Sequence, residues 1–209
     1  MLLRTESLQQ FVRSYPIFSF IIALNIMVFL STAIPLFPNR TIFESLAGVN
    51  LWISQGDYWR LLTPVILHNS FSHLLFNCFS TVLFGPYVEK SLGSFNVLLF
   101  YVLCGIAGNL ATYFIYPLTY THSGASGAIY GLLGFYLYLV LFQKSHLTKQ
   151  DSQRIIVLTV VGVLMSTFQP NINLVSHLGG LMAGFFMAPF FFRHPFRFFG
   201  RYGQAGTKL

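Results

Sequence analysis

Residues 122–134 read HSGASGAIYGLLG, which sets Ser126 between glycines at the head of an apolar stretch. A serine hydroxyl becomes a nucleophile when a base takes its proton, and neutral imidazole is the usual base near pH 7. His177 supplies such an imidazole near the start of another apolar stretch. Acyl transfer also needs donors aimed at the developing oxyanion. His73 and Asn77, four residues apart and on one face of a helix, are donors of the right type. So is the Ser126 backbone N–H, because helix N-termini leave such groups free. No acid stands where it would orient His177, since Glu89 falls at the far end of its segment and Glu44, Asp57 and Asp151 fall in loops. The chemistry on offer is hydrolysis by a Ser–His dyad, with Tyr130, one turn below Ser126, packing the imidazole.

Taken singly, these residues have plainer readings. Ser126 alone is a helix cap or a back-bonded serine, and His177 alone is interhelical glue. His73 with Asn77 is a hydrogen-bonded pair or half of a metal site. Zinc held by His68, His73 and His177 stays open on residue type, although no carboxylate or thiolate completes the set. No HExxH occurs, and no apolar segment contains the Asp that an aspartic dyad needs. Only the constellation favours catalysis, so the elements that position it matter.

Those elements lie in a membrane. Of 209 residues, 55% are hydrophobic and 8% charged, with mean hydropathy +0.65. Soluble domains carry about 25% charge, so this chain cannot cover a water-facing surface. The segments expected to span are Ile17–Phe37, His68–Val88, Phe95–Ile115, Ser126–Phe142, Ile155–Phe168 and Leu174–Phe192. The fifth is short. The opening MLLRTESLQQFVRSYP lacks a signal-peptide apolar core and cleavage site, and is expected to be retained. Cys78 and Cys104 read as small buried hydrophobes.

Ten of the twelve basic residues flank the spans on one side: Arg4, Arg13, Lys90, Lys144, Lys149, Arg154, Arg193, Arg197, Arg201 and Lys208. Arg40 and Arg60 are on the other. The positive-inside rule then puts both termini in the cytoplasm, and it accounts for the net charge of +7 without nucleic acid. Loops 38–67, 116–125 and 169–173 face outward, the first with Trp52, Tyr58 and Trp59 at the headgroups.

Counting back from each inner end gives 15 steps to His73, 16 to Ser126 and 15 to His177. At about 1.5 Å per residue, all three sit roughly 22–24 Å above the inner boundary of a core about 30 Å thick. Gly127 with Gly131, and Gly180 with Gly184, form two GxxxG faces that allow close helix approach. Packing the fourth span against the sixth brings Ser126 to His177.

With these residues in view, the chain resembles the rhomboid intramembrane serine proteases. The marks are WR at 59–60, HNSFSHLLFN at 68–77, EKSLG at 89–93, GASGAIYG at 124–131 and HLGGLMAG at 177–184. The resemblance implies an all-α membrane protein, a six-transmembrane-helix bundle with a water-filled cavity opening outward. It implies Ser126 as nucleophile, His177 as general base, His73 and Asn77 as oxyanion donors, and His68 as a supporting polar residue at the rim. It makes Gly124 one of the glycines shaping the backbone at the nucleophile and Glu89 a tie at the inner end of the second span. Substrates would be transmembrane helices of other proteins, entering from the bilayer between spans two and five past Phe76, with no cofactor or metal. The expected organisation is a cytoplasmic segment 1–16, a catalytic domain 17–193 and a basic cytoplasmic tail 194–209, in the plasma membrane, as in a minimal bacterial form. Two rivals are a silent rhomboid-like escort, expected to lack Ser126 or His177, and a small transporter using the same polar residues.

Overall fold

Ser7 opens the first helix, α1 (Leu8–Ser14), with a reciprocal capping box: its hydroxyl accepts from the Gln10 N–H while the Gln10 side chain accepts from the Ser7 N–H. The computed structural model describes residues 5–169 and 172–193. Arg4, Pro170, Asn171 and the basic segment 194–209 lie outside the described residues, so the tail expected there is not part of the fold described below.

Pro16 at the first helical position starts α2 (Pro16–Ala33), where its missing N–H costs nothing. This helix ends four residues short of the expected Phe37. Pro35 disfavours helical backbone in the residue before it, and Ile34 is extended accordingly.

The segment 38–67, expected as one loop, is folded. It holds α3 (Asn39–Leu46), β1 (Gly48–Val49), α4 (Asn50–Ser54) and two 3-10 turns, Tyr58–Leu61 and Thr63–Ile66. Arg60 organises it. Its buried guanidinium pairs with Asp57 at 2.9 Å, donates to the Glu44 and Ala47 carbonyls at 2.7 and 2.8 Å, and lies 4.4 Å from the Trp52 ring. A cation with those partners closes the loop on itself instead of facing solvent. Strand β1 then pairs antiparallel with β2 (Thr121–His122), Gly48 opposite His122.

Among the described residues, four helices are long and apolar enough to cross a membrane: α2, α6 (Ser94–Ile115), α8 (Lys149–Phe168) and the Leu174–Phe192 stretch of α9 (Leu174–Arg193). Helix α7 (Ser126–Phe142) is apolar and shorter, and α5 (Phe71–Leu92) is 22 residues long but carries His73, Asn77, Glu89 and Lys90. The fifth expected span is not short as a helix. Its apolar part follows a polar first turn and a half, capped by Thr148, whose hydroxyl accepts from the Asp151 N–H at 3.0 Å.

Helix α7 is the hub of the fold, buried along nearly its whole length, with Leu132, Phe135, Tyr136 and Leu139 packed among Phe100, Phe191 and Ala188. The large exposed side chains, among them Phe20, Phe76, Phe79, Val157, Phe168, Phe186 and Phe190, sit on the outer helix faces, as lipid contact requires. Glycines let α7 and α9 meet backbone to backbone. A Cβ at Gly180 would fall on the Gly127 carbonyl, and one at Gly184 on the Gly131 carbonyl.

Candidate active site

The nucleophile candidate is held by the backbone in front of it. Gly124 has φ +124°, a conformation that L side chains rarely adopt, and its N–H donates to the Pro64 carbonyl at 2.8 Å. A Cβ there would meet His73 Nε2 at 2.5 Å and Ser126 Oγ at 3.8 Å, so both side chains converge on the space that the missing methyl leaves. Ala125 is buried and accepts from the Ile129 N–H, and α7 starts at Ser126, which keeps partial exposure. The first N–H groups of α7 are therefore free for an anion.

His177 sits one turn into α9. Asn173 caps that turn, accepting from the Ser176 N–H at 2.9 Å and donating to Thr112 Oγ1 at 2.9 Å. The imidazole is buried and lies flat on the Tyr130 ring, centroids 4.1 Å apart and planes 11° from parallel. Tyr130 is one helical turn from Ser126, so the stack brings the imidazole to the face of α7 that carries the hydroxyl. His177 Nδ1 is 2.7 Å from the hydroxyl of Ser166 on α8. Nε2 makes no hydrogen bond among the described residues. No hydrogen bond of 3.5 Å or less joins the ring to Ser126.

His73 Nδ1 lies 2.8 Å from Asn69 Oδ1, and the His73 backbone N–H donates at 3.2 Å to Ser70 Oγ, the cap of α5. Asn77 Nδ2 donates to the His73 carbonyl at 2.8 Å, which engages one of its two N–H groups and leaves the other. His68 is not at a rim. It is 1% exposed, edge-on to His73 with ring centroids 5.0 Å apart, and neither ring nitrogen has a hydrogen-bond partner among the described residues. Its ring packs against that of His73.

Glu89 is buried at the other end of α5. Its carboxylate accepts from the Ile17 and Phe18 N–H groups at 3.0 and 3.2 Å and from Ser94 Oγ at 3.1 Å. It thus caps α2 and ties α2, α5 and α6 together, with its charge at a helix N-terminus. Above the site, the His122 ring fills the place of a Gly48 side chain, and burial pushes its pKa down to about 4. That neutral ring fastens the outer loop to the segment entering Ser126.

Among the described residues no group of three or more His, Cys, Asp or Glu is arranged to hold a metal ion. The structure thus gathers Ser126, Gly124 and His73 at one point, and stacks His177 on Tyr130 one turn away. Two contacts escape sequence reasoning. Ser166 looks like any back-bonded serine in an apolar helix, and Asn69 lies in a polar loop; only the three-dimensional packing connects either to an imidazole.

Comparison with known proteins places the chain in a family. The family model of the Rhomboid domain matches residues 55–194. The putative rhomboid protease YdcA of Bacillus subtilis is 44% identical over 188 residues, covering 90% of this chain and 94% of that protein. Rhomboid protease GluP of the same organism is 39% identical over 142 residues, 68% of this chain and 28% of GluP. Rhomboid-like protease 1 of Toxoplasma gondii is 32% identical over 166 residues, 77% of this chain and 56% of that protein. This multi-pass membrane protein belongs to the rhomboid family of intramembrane serine proteases.

Proposed function

We propose that this chain hydrolyses peptide bonds in or near the transmembrane helices of other membrane proteins by a Ser126–His177 dyad. In the first step Ser126 Oγ adds to the scissile carbonyl carbon while its proton passes to His177 Nε2. The electron pair of the C=O moves to oxygen, and that oxyanion is met by the Ser126 N–H, Asn77 Nδ2 and His73. The imidazolium then gives its proton to the leaving amine, the C–N bond breaks, and an acyl-Ser126 ester remains. Water, deprotonated by the same Nε2, releases the acid and restores the hydroxyl.

The observation that carries this reading is the condition of His177. Its ring is clasped by Tyr130 and Ser166 through one face and one nitrogen, Nε2 makes no hydrogen bond among the described residues, and the Tyr130 it lies on is one helical turn from Ser126. A histidine serving only as interhelical glue would have both nitrogens engaged or shut away. His73 donates to an oxyanion only with a proton on Nε2, so the Asn69 amide must then present its NH2 to Nδ1.

The surrounding architecture in this reading is a six-span bundle formed by α2, α5, α6, α7, α8 and α9. Both termini are cytoplasmic, segment 17–193 is the catalytic domain, and the plasma membrane is the site of action. The substrate reaches Ser126 from the bilayer, and a polar pocket of this kind supplies the water and the landing site that a helical peptide bond lacks. Neither nucleic acid nor a cofactor enters the reaction. Cells carrying the wild type should shed membrane-protein fragments that cells carrying Ser126→Ala do not. Identical fragment patterns from the two would refute the proposal.

A further inference from the structure

Ser166 makes three contacts through one oxygen. It is 2.7 Å from the Gly162 carbonyl, 2.9 Å from the Tyr130 hydroxyl and 2.7 Å from His177 Nδ1, and it is buried. A serine hydroxyl has one proton to give and two lone pairs to receive. The Gly162 carbonyl has only lone pairs, so the Ser166 proton must go there. Both remaining partners then donate to Ser166: the Tyr130 O–H and the His177 Nδ1–H. One arrangement of protons satisfies all four groups, and it puts the imidazole proton on Nδ1. The lone pair needed for base catalysis is thereby left on Nε2.

Gly162 is part of the same device, because a Cβ on it would meet the Tyr130 hydroxyl at 2.8 Å. Tyr130 meanwhile holds the imidazole plane by stacking. When Nε2 takes the proton from Ser126, the charge on the ring faces the Ser166 oxygen, whose own O–H is polarised by the Gly162 carbonyl. The carbonyl–hydroxyl chain thus stands where a carboxylate would stand in a triad.

We infer that Ser166 is a positioning residue for His177, setting its tautomer and orientation from α8 and making helix docking a condition of catalytic competence. This inference rests on the dyad reading above. Helix α8 touches the bundle along a narrow stripe, with Asp151, Ile155, Thr159 and Ser166 its buried residues, so Ser166 is the buried contact of its outer half. An α8 displaced from the bundle leaves the imidazole without its Nδ1 partner.

Thr159 provides the control. It lies on the same stripe, is buried, and bonds back to the Ile155 carbonyl at 2.8 Å, but it touches no imidazole. With purified protein in micelles and a transmembrane peptide substrate, Ser166→Ala should lower kcat about tenfold and leave KM within twofold. Ser166→Thr, which keeps a hydroxyl able to bond back, should restore most of the loss, and Thr159→Ala should leave kcat within twofold. In protein labelled with 15N-histidine, with His177 assigned through His177→Gln, the neutral ring should carry its proton on Nδ1, and Ser166→Ala should shift population to the Nε2–H form. An unchanged kcat and tautomer in Ser166→Ala overturns the inference, as does an equal loss in Thr159→Ala. Wild-type cleavage that survives Ser126→Ala overturns the dyad instead, and the tautomer measurement still decides what Ser166 does.

Discussion

The tightest test of the architecture is a single methyl group at Gly180. Its Cβ would fall on the Gly127 carbonyl and lie 2.7 Å from that carbonyl carbon, where two carbons rest at about 3.5–4.0 Å. Both sides of the contact are helix backbone, so no side chain can turn away, and α7 and α9 must separate by roughly 1 Å. Ser126 precedes Gly127 by one residue and His177 precedes Gly180 by three, so the separation acts directly between hydroxyl and imidazole. A misplacement of about 1 Å in a reacting pair costs on the order of a hundredfold in rate. Overpacking should also lower stability by about 1–3 kcal/mol. The assay compares cleavage of a transmembrane peptide by Gly180→Ala and wild type, alongside thermal unfolding in the same detergent. Phe190→Ala, on the exposed face of α9, controls for altering that helix. A folded Gly180→Ala protein that cleaves at the wild-type rate would refute the claim that the glycine contact sets the dyad's geometry.

Other perturbations have defined outcomes. Asn77→Ala should lower kcat about a hundredfold in the same peptide assay while Ser126→Ala removes activity, because one oxyanion donor of several is lost. Glu89→Gln keeps the shape but not the charge at the head of α2, and should cost about 1 kcal/mol in thermal unfolding, with Glu89→Ala costing more by leaving two N–H groups uncapped. For His122, the folded pKa near 4 lies below the ordinary 6.5, so between those values the unfolded chain binds more protons than the folded one. Its contribution is complete above pH 6.5 and falls as pH drops toward 4, by up to about 3 kcal/mol. Denaturant unfolding across this window should show a shallower pH dependence in His122→Phe than in wild type.

Much of the site was legible because its parts obey helical spacing. Gly127 and Gly131 on one segment and Gly180 and Gly184 on another announce a close backbone contact, and the structure makes it in that register. Tyr130 follows Ser126 by one turn and packs the imidazole as that spacing predicts. What escaped depends on contacts with no period. Arg60 carries a charge that orientation rules assign to an outer loop, yet its value here lies in carbonyls 13 and 16 residues away, which only the folded loop supplies. The polar start of α8 hid the length of that helix because hydropathy measures burial in lipid, whereas Thr148 marks the true beginning. Ser166 was invisible because its neighbour Thr167 makes the same backward bond to the chain and differs only in the face it occupies.

The most direct measurement is covalent labelling of the purified protein by a fluorophosphonate, read as the mass of the Ser126 peptide. The Ser126–His177 dyad predicts a single adduct on that serine in the wild type, none in Ser126→Ala and almost none in His177→Ala. An adduct on Ser126 that forms equally fast without the imidazole, or labelling undiminished in Ser126→Ala, would contradict it.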